Sequence, residues 1–234
     1  MPHELDAVRA RILEAVAAAA RRVGRDPTEI EIVAVAKTVP AERVRGAVEA
    51  GFTTIGENRV QEAESKVEAV NAGFERPPRW HLVGPLQSNK VRRAVALFDV
   101  IETIDSIALA HRVDRVAAEL LPGRRYPVLL QANVDDDPSK AGFEPAALEH
   151  ELEPILELSN LRVEGLMTVG RLVPDAEAAR PTFLALRRLS ERLRARDHRL
   201  GPALSMGMTD DFEVAIEEGA TILRIGRAIF GHRH

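Results

Sequence analysis

The chain contains four lysines, Lys37, Lys66, Lys90 and Lys140, against a large excess of arginine, so any amine nucleophile is drawn from a short set. Lys37 stands apart by its approach. Ile32-Val33-Ala34-Val35-Ala36 is an unbroken apolar run that leads into Lys37 and Thr38, with the breaker Pro40 just beyond. Such a run suits a strand buried on both faces of a parallel sheet. A lysine that ends it must find water, a partner or a reaction. Desolvation disfavours an ammonium and lowers its pKa, and a neutral amine can attack an aldehyde to form a Schiff base. The plainer alternative is a lysine that snorkels to the surface or pairs with Glu57. Lys66, flanked by Glu62 and Glu64, reads as a solvated ion-pair lysine on a helix. Lys90 opens a helix. Lys140, in Pro138-Ser139-Lys140-Ala141-Gly142, sits in a polar loop, where a second functional amine competes with a surface role.

A second kind of chemistry is suggested near the end of the chain. Ser205-Met206-Gly207-Met208-Thr209 and Gly226-Arg227-Ala228 have the composition of a phosphate cradle. Ser205 offers a hydroxyl, and Gly207 and Gly226 allow close backbone approach. Turn geometry alone also explains the glycines. Asp210 and Asp211 read better as first-turn acids of the next helix, with Thr209 as its N-cap. Arg224 stays charged and accepts no proton, so facing a pyridine nitrogen it would keep that nitrogen unprotonated. Its alternative is an ion pair with a carboxylate such as Asp210. His81, beside Trp80, is either a packed strand histidine or a base. No HExxH or paired-histidine spacing occurs, so no metal site is expected.

Stepping along the chain, these residues fall at the ends of repeated apolar segments. An amphipathic helix carries Leu5, Val8, Ile12, Val16 and Ala19 on one face and ends near Gly24. Strands are expected at Ile32–Ala36, Phe52–Ile55, Trp80–Val83, Val100–Ile104, Tyr126–Val134, Val163–Val169, Ala203–Met206 and Thr221–Ile225. Helices separate them, including one from about Val60 to Asn71 and a long one over Glu177–Arg196. Strict alternation implies parallel strands with right-handed crossovers. Eight units close into an α/β fold, a single (β/α)8 TIM-type barrel with an extra N-terminal helix, spanning residues 1–234 as one domain. A doubly wound open sheet fits less well, because no Gly-rich fingerprint follows the first strand. Barrel active sites lie at the C-terminal strand ends. There the sequence sets Lys37, Gly56-Glu57-Asn58, His81, Asp105, Asn133, Thr168, Ser205 to Met208, and Arg224 with Gly226.

The composition narrows the class. Among the 234 residues 45% are hydrophobic, enough for a sizeable core, and the net charge of −4 gives no basic field for nucleic acid. The absence of cysteine removes disulfides and thiolate chemistry and makes a reducing cytoplasm the expected compartment. The polar start, Met1-Pro2-His3-Glu4-Leu5-Asp6, is unlike a signal peptide. No apolar run approaches the roughly 20 residues of a membrane span.

Seven motifs then follow one another in order. They are Val33 to Thr38, Gly56-Glu57-Asn58-Arg59-Val60-Gln61-Glu62, Trp80 to Lys90, Pro138 to Gly142, Gly165-Leu166-Met167, Ser205 to Asp211 and Arg224 to Gly231. Together they resemble the YggS/PROSC family of pyridoxal phosphate homeostasis proteins over nearly the whole chain. The resemblance implies a barrel like the N-terminal domain of alanine racemase, with pyridoxal 5′-phosphate (PLP) held as an internal aldimine on Lys37. It implies phosphate contacts at Ser205 and around Gly226, Arg224 near the pyridine nitrogen, and Lys140 as a second lysine in PLP handling; from their places at the strand ends, Asn58, His81 and Gly207 complete the expected cofactor site. The chain departs from many relatives in carrying Arg59 in place of tyrosine and Arg227 in place of threonine. On this reading the protein is a carrier and buffer of PLP, possible recipients being apo PLP-dependent enzymes. It is expected to be a monomer without membrane or nucleic-acid partners, and no residue is assigned a catalytic role. The rival is a fold-type III amino-acid racemase, which by resemblance takes a second base from a β-rich second domain. The sequence stops at His234, just after the eighth strand, and its one tyrosine, Tyr126, precedes the fifth.

Overall fold

The apolar segments form β1 (Glu31–Val35), β2 (Thr54–Glu57), β3 (Arg79–Leu82), β4 (Val100–Ile104), β5 (Tyr126–Gln131), β6 (Leu161–Met167), β7 (Ala203–Ser205) and β8 (Ile222–Ile225). In the computed structural model, which describes residues 2–170, 173 and 175–231, these strands are all parallel. They close in chain order, β8 returning to β1 with Val33 opposite Arg224 and Ala34 opposite Ile225. The expected (β/α)8 barrel is therefore the observed one. Met1 and His234, on which the expectations about a leader and a missing second domain bear, lie outside the described residues.

Around the barrel run α1 (Pro2–Arg22), α2 (Ala41–Glu49), α3 (Val60–Glu64), α4 (Val67–Asn71), α5 (Val91–Leu97), α6 (Ile107–Leu120), α7 (Pro145–Leu156), α8 (Arg180–Arg196), α9 (Phe212–Glu217) and the short α10 (Arg227–Phe230). Side chains alternate across each strand. One set, Val33, Val83, Leu129, Met167 and Ile222, fills the barrel interior. The other, including Ala34, Ile55, Leu82, Ile101 and Leu223, packs outward beneath the helices. Each fully buried Leu or Ile contributes about 1.5–3 kcal/mol relative to exposure. The apolar face of α1, with Leu5, Val8, Ile12, Val16 and Ala19 buried, packs on α9 and α10.

Several boundaries shift by a few residues, β2 and β6 among them, and two of the differences have a visible physical cause. The single helix expected over 60–71 is broken into α3 and α4 at Ser65 and Lys66. There the Lys66 side chain turns inward to hydrogen-bond acceptors on the barrel. The fifth strand stops at Gln131, because the following loop folds back on it. The Gln131 side chain donates to the Ala141 carbonyl at 2.8 Å, and the Phe143 N–H donates to the Gln131 carbonyl at 2.8 Å.

Tyr126 opens β5 at the N-terminal end of the barrel, where its hydroxyl donates to the Phe98 carbonyl at 2.7 Å. Burial pushes this phenol above its ordinary value. Tyr126→Phe leaves a buried carbonyl unpaired, a loss of about 1–3 kcal/mol. Urea unfolding should show the lowered midpoint. An unchanged midpoint would mean that water or another donor takes over at Phe98.

Candidate functional site

At the C-terminal ends of the strands the loops enclose a cavity of about 1260 Å3, whose wall includes Lys37, Asn58, Thr209, Arg224, Gly226 and Arg227. Lys37 reaches it from a turn. β1 ends at Val35, and Ala36 extends the ladder by donating its N–H to the Gly56 carbonyl at 2.8 Å. Lys37 and Thr38 are exposed: the buried apolar approach continues through Ala36, as expected, but ends there and does not include the amine. Thr38 lies in the left-handed region at φ 64°, a conformation that costs a β-branched residue about 1–3 kcal/mol.

The segment around α3 and α4 grips this turn from outside the barrel. The Thr38 N–H donates to Glu62 Oε2 at 3.1 Å. Lys66 Nζ donates to the Ala36 carbonyl at 2.9 Å and to Glu57 Oε1 at 2.6 Å. Lys66 is only 8% exposed, so its reading as a solvated lysine is overturned. It, not Lys37, is the lysine that answers Glu57. Burial pushes the Glu57 carboxyl up, against the pull of the Lys66 ammonium.

Inside the barrel a polar layer crosses from β3 to β8. His81 Nδ1 lies 2.7 Å from Glu102 Oε1. The Ser205 hydroxyl donates to Glu102 Oε2 at 2.5 Å and accepts from Arg224 Nη1 at 2.6 Å. Arg224 Nη2 donates to the Thr168 carbonyl at 2.6 Å. All four side chains are buried. Burial alone would raise the Glu102 carboxyl, but His81, the Arg224 charge and the Ser205 hydrogen bond outweigh it and hold the group below its ordinary value. Burial pulls the Arg224 guanidinium down from its usual value, opposed by the charges of Glu102 and Asp211. Arg224 therefore meets Asp210 no longer as a partner: Asp210 pairs with Arg227 on the rim.

The residues singled out from sequence thus divide. Lys37, Asn58, Arg224 and Gly226 share the cavity wall. Asn58 can sit there because position 84 has no side chain; a Cβ on Gly84 would lie 2.3 Å from the Asn58 carbonyl oxygen. His81 and Ser205 belong to the interior layer. Gly207 supports the same layer: at φ +90° its carbonyl accepts the Arg224 N–H at 3.0 Å, and a Cβ would press to 2.5 Å from Ala215 Cβ. Lys140 is not on this wall, its ammonium donating to Asp135 Oδ2 at 2.8 Å in the loop before α7. Sequence reasoning missed Glu102, although a carboxylate in the middle of Val100–Ile104 was a visible signal. It also gave Thr209 to helix capping. Thr209 faces the cavity, accepting the Ala228 N–H at 3.3 Å, while Asp211 is the residue before α9 and accepts the Met208 N–H at 2.6 Å. Among the described residues no group of His, Cys, Asp and Glu could hold a metal ion.

The family model for the N-terminal domain of alanine racemase matches residues 5–234. The pyridoxal phosphate homeostasis protein of Aquifex aeolicus is 40% identical over 223 residues, 95% of this chain and 96% of its own. That of Escherichia coli K12 is 40% identical over 229 residues, 96% of this chain and 94% of its own. PipY of Synechococcus elongatus PCC7942, solved with PLP bound, is 40% identical with a TM-score of 0.81, covering 94% of this chain and 100% of PipY. Alanine racemase of Clostridium difficile 630 shares the fold at a TM-score of 0.73 and 12% identity, and this chain spans 56% of its length.

The interior layer has a pH signature. A carboxyl held below its ordinary value of 4.5 adds stability that is complete above that value and lost as pH falls through the depressed one. Glu102→Gln removes the counter-charge of a buried cation, a loss on the order of 3 kcal/mol near neutrality. Urea unfolding of both proteins should show the wild-type advantage in full at neutral pH and a shrinking one below the ordinary carboxylate pKa. A gap that does not change with pH would argue against a charged Glu102.

Proposed function

The chain belongs to the alanine racemase N-terminal domain family, among its pyridoxal phosphate homeostasis proteins, and on that premise we propose that it carries PLP in the rim cavity as a Schiff base on Lys37. The observation that carries this reading is the cavity wall, which unites an amine, a guanidinium and a hydroxyl-bearing loop that meets α10. Those groups suit the three reactive parts of the cofactor: aldehyde, ring nitrogen and phosphate. When bound, PLP supplies the aldehyde. The Lys37 nitrogen bonds to its carbon and the aldehyde oxygen leaves as water, with nothing oxidised or reduced.

Arg224, fixed by Ser205 and the Thr168 carbonyl, presents a permanent charge that leaves the ring nitrogen unprotonated. Thr209 and the backbone of Gly226 and Arg227 take the phosphate, with the Arg227 guanidinium on the same wall. Ser205, expected at the phosphate, acts instead through Arg224, and His81 through Glu102. Asn58 supplies an amide at the wall, and Gly207 keeps the β7 loop in place. Lys140 handles the cofactor only if its pair with Asp135 opens.

Storage and delivery, not turnover, is the role we assign, with apo PLP-dependent enzymes as recipients. The racemase reading needs a second proton-transfer group facing Lys37. Among the described residues the cavity wall holds one lysine and neither tyrosine nor histidine, and Tyr126 lies at the other end of the barrel. Among the described residues no helix is long and apolar enough to cross a membrane. We assign the protein to the cytoplasm, as a monomer.

Apo protein titrated with PLP and reduced with borohydride should carry one adduct, mapped by mass spectrometry to Lys37. Lys37→Ala should lose it, and a full adduct on that variant overturns the assignment. Racemisation of D- or L-alanine should stay at background; robust turnover favours the rival reading. Thr209→Val should weaken PLP about tenfold, the loss of one hydrogen bond to a charged group, read by equilibrium titration.

A further inference from the structure

We propose that Glu62 and Lys66 are positioning residues for Lys37, holding the peptide groups on either side of it so that its amine is aimed into the cavity. The inference rests on the reading of Lys37 as the lysine that binds PLP. A lysine side chain is long and flexible, so its reach is set by where the backbone puts Cα and in which direction the chain leaves it. That backbone supports itself only in part here: the Val39 N–H donates to the Ala36 carbonyl at 3.0 Å and closes the turn over Lys37 and Thr38, with nothing local on the Thr38 N–H side. Thr38, the next residue, sits at φ 64°, which a β-branched residue abandons unless its surroundings hold it.

Two side-chain hydrogen bonds add to this hold, one on each side. The carbonyl of Ala36, the residue before Lys37, accepts from Lys66 Nζ at 2.9 Å. The N–H of Thr38, the residue after it, donates to Glu62 Oε2 at 3.1 Å. Both partners come from one short stretch, and the helix is interrupted between them at Ser65 so that Lys66 can turn inward. Lys66 is fixed in turn by Glu57, the last residue of β2, at 2.6 Å. Arg59 approaches the other Glu62 oxygen only to 3.9 Å, which leaves Oε2 to Thr38.

Taking an ammonium out of water is costly, and a lysine at this point of a surface helix could have stayed solvated. Moreover, Glu57 Oε2 is buried with no hydrogen-bond partner. A pair built only to attach α3 and α4 to the barrel would be better replaced by apolar residues. The cation reaches a backbone carbonyl that closes the turn and adjoins Lys37, which an apolar replacement could not do.

The test separates aiming the amine from shaping the cavity. PLP and pyridoxine 5′-phosphate share ring and phosphate, but only PLP has the aldehyde that Lys37 meets. Lys66→Met and Glu62→Ala should each weaken PLP binding about tenfold and slow adduct formation on Lys37, while pyridoxine 5′-phosphate binding stays within about twofold of wild type. Glu62→Gln, which keeps an acceptor for the Thr38 N–H, should behave as wild type. Equal weakening of both ligands, or no change in either, overturns the proposal. Circular dichroism and thermal melting report whether each variant folds; should Lys66→Met not fold, Glu62→Ala and Glu62→Gln decide alone. Absence of any Lys37 adduct on the unaltered protein removes the premise and the proposal with it, and is recognised by its independence of positions 62 and 66.

Discussion

A guanidinium buried inside a barrel must be neutralised inside the barrel. Arg224 is 5% exposed, and its charge is met by Glu102 through the Ser205 hydroxyl, with His81 on the far oxygen of the carboxylate. The four side chains come from β8, β7, β4 and β3, so the charge balance spans the cross-section of the sheet. Each member has at least one bond that depends on the register of another strand. A one-residue slip of β8 would turn Arg224 outward beneath the helices and leave Glu102 without its cation. Apolar residues surround the layer, and the low dielectric they create makes the satisfied network rigid and an unsatisfied one costly.

The same seam of the sheet sets the distance between the arginine and the amine. Val33 pairs with Arg224 and Ala34 with Ile225. Gly226 then falls beside the end of β1, where a Cβ at position 226 would come within 3.2 Å of the Val35 carbonyl oxygen. Lys37 leaves β1 just beyond. Two different supports therefore meet at the β1–β8 seam. Arg224 is held by side chains from within the barrel, and the Lys37 turn is held through its backbone from outside it. The first keeps a charge where water is scarce. The second fixes the root of a side chain that borders the cavity.

What was legible in the sequence followed from short-range pattern. The apolar period along each strand, the breakers between segments and the glycines near β7 and β8 were enough for the barrel and for bringing Lys37, Asn58, Arg224 and Gly226 to one rim. What escaped was pairing across the fold. Ser205 and Glu102 are 103 residues apart, and nothing local tells whether the hydroxyl faces a ligand or a buried carboxylate. Lys66 looked solvated because its neighbours, Glu62 and Glu64, are charged. Its burial depends on the Ala36 carbonyl, 30 residues earlier. Thr209 looked like a cap because a helix follows it, yet the turn at Met208 and Asp211 moves the start of α9 past it. In each case the residue type was right for several environments and the tertiary fold chose among them.

The exposure of Lys37 bears on what the site is for. An enzyme that reacts on a cofactor gains from excluding water, because dry surroundings strengthen electrostatics and suppress hydrolysis. A carrier has the opposite requirement. The bond it makes to an aldehyde must be broken by water or by an incoming amine, and both must reach it. A buried lysine would hold the aldehyde well and surrender it slowly. On the proposed reading, a rim lysine whose root is held by Glu62 and Lys66 would form the bond and leave it open to attack, while the arginine and the loops after β7 and β8 would retain the rest of the molecule.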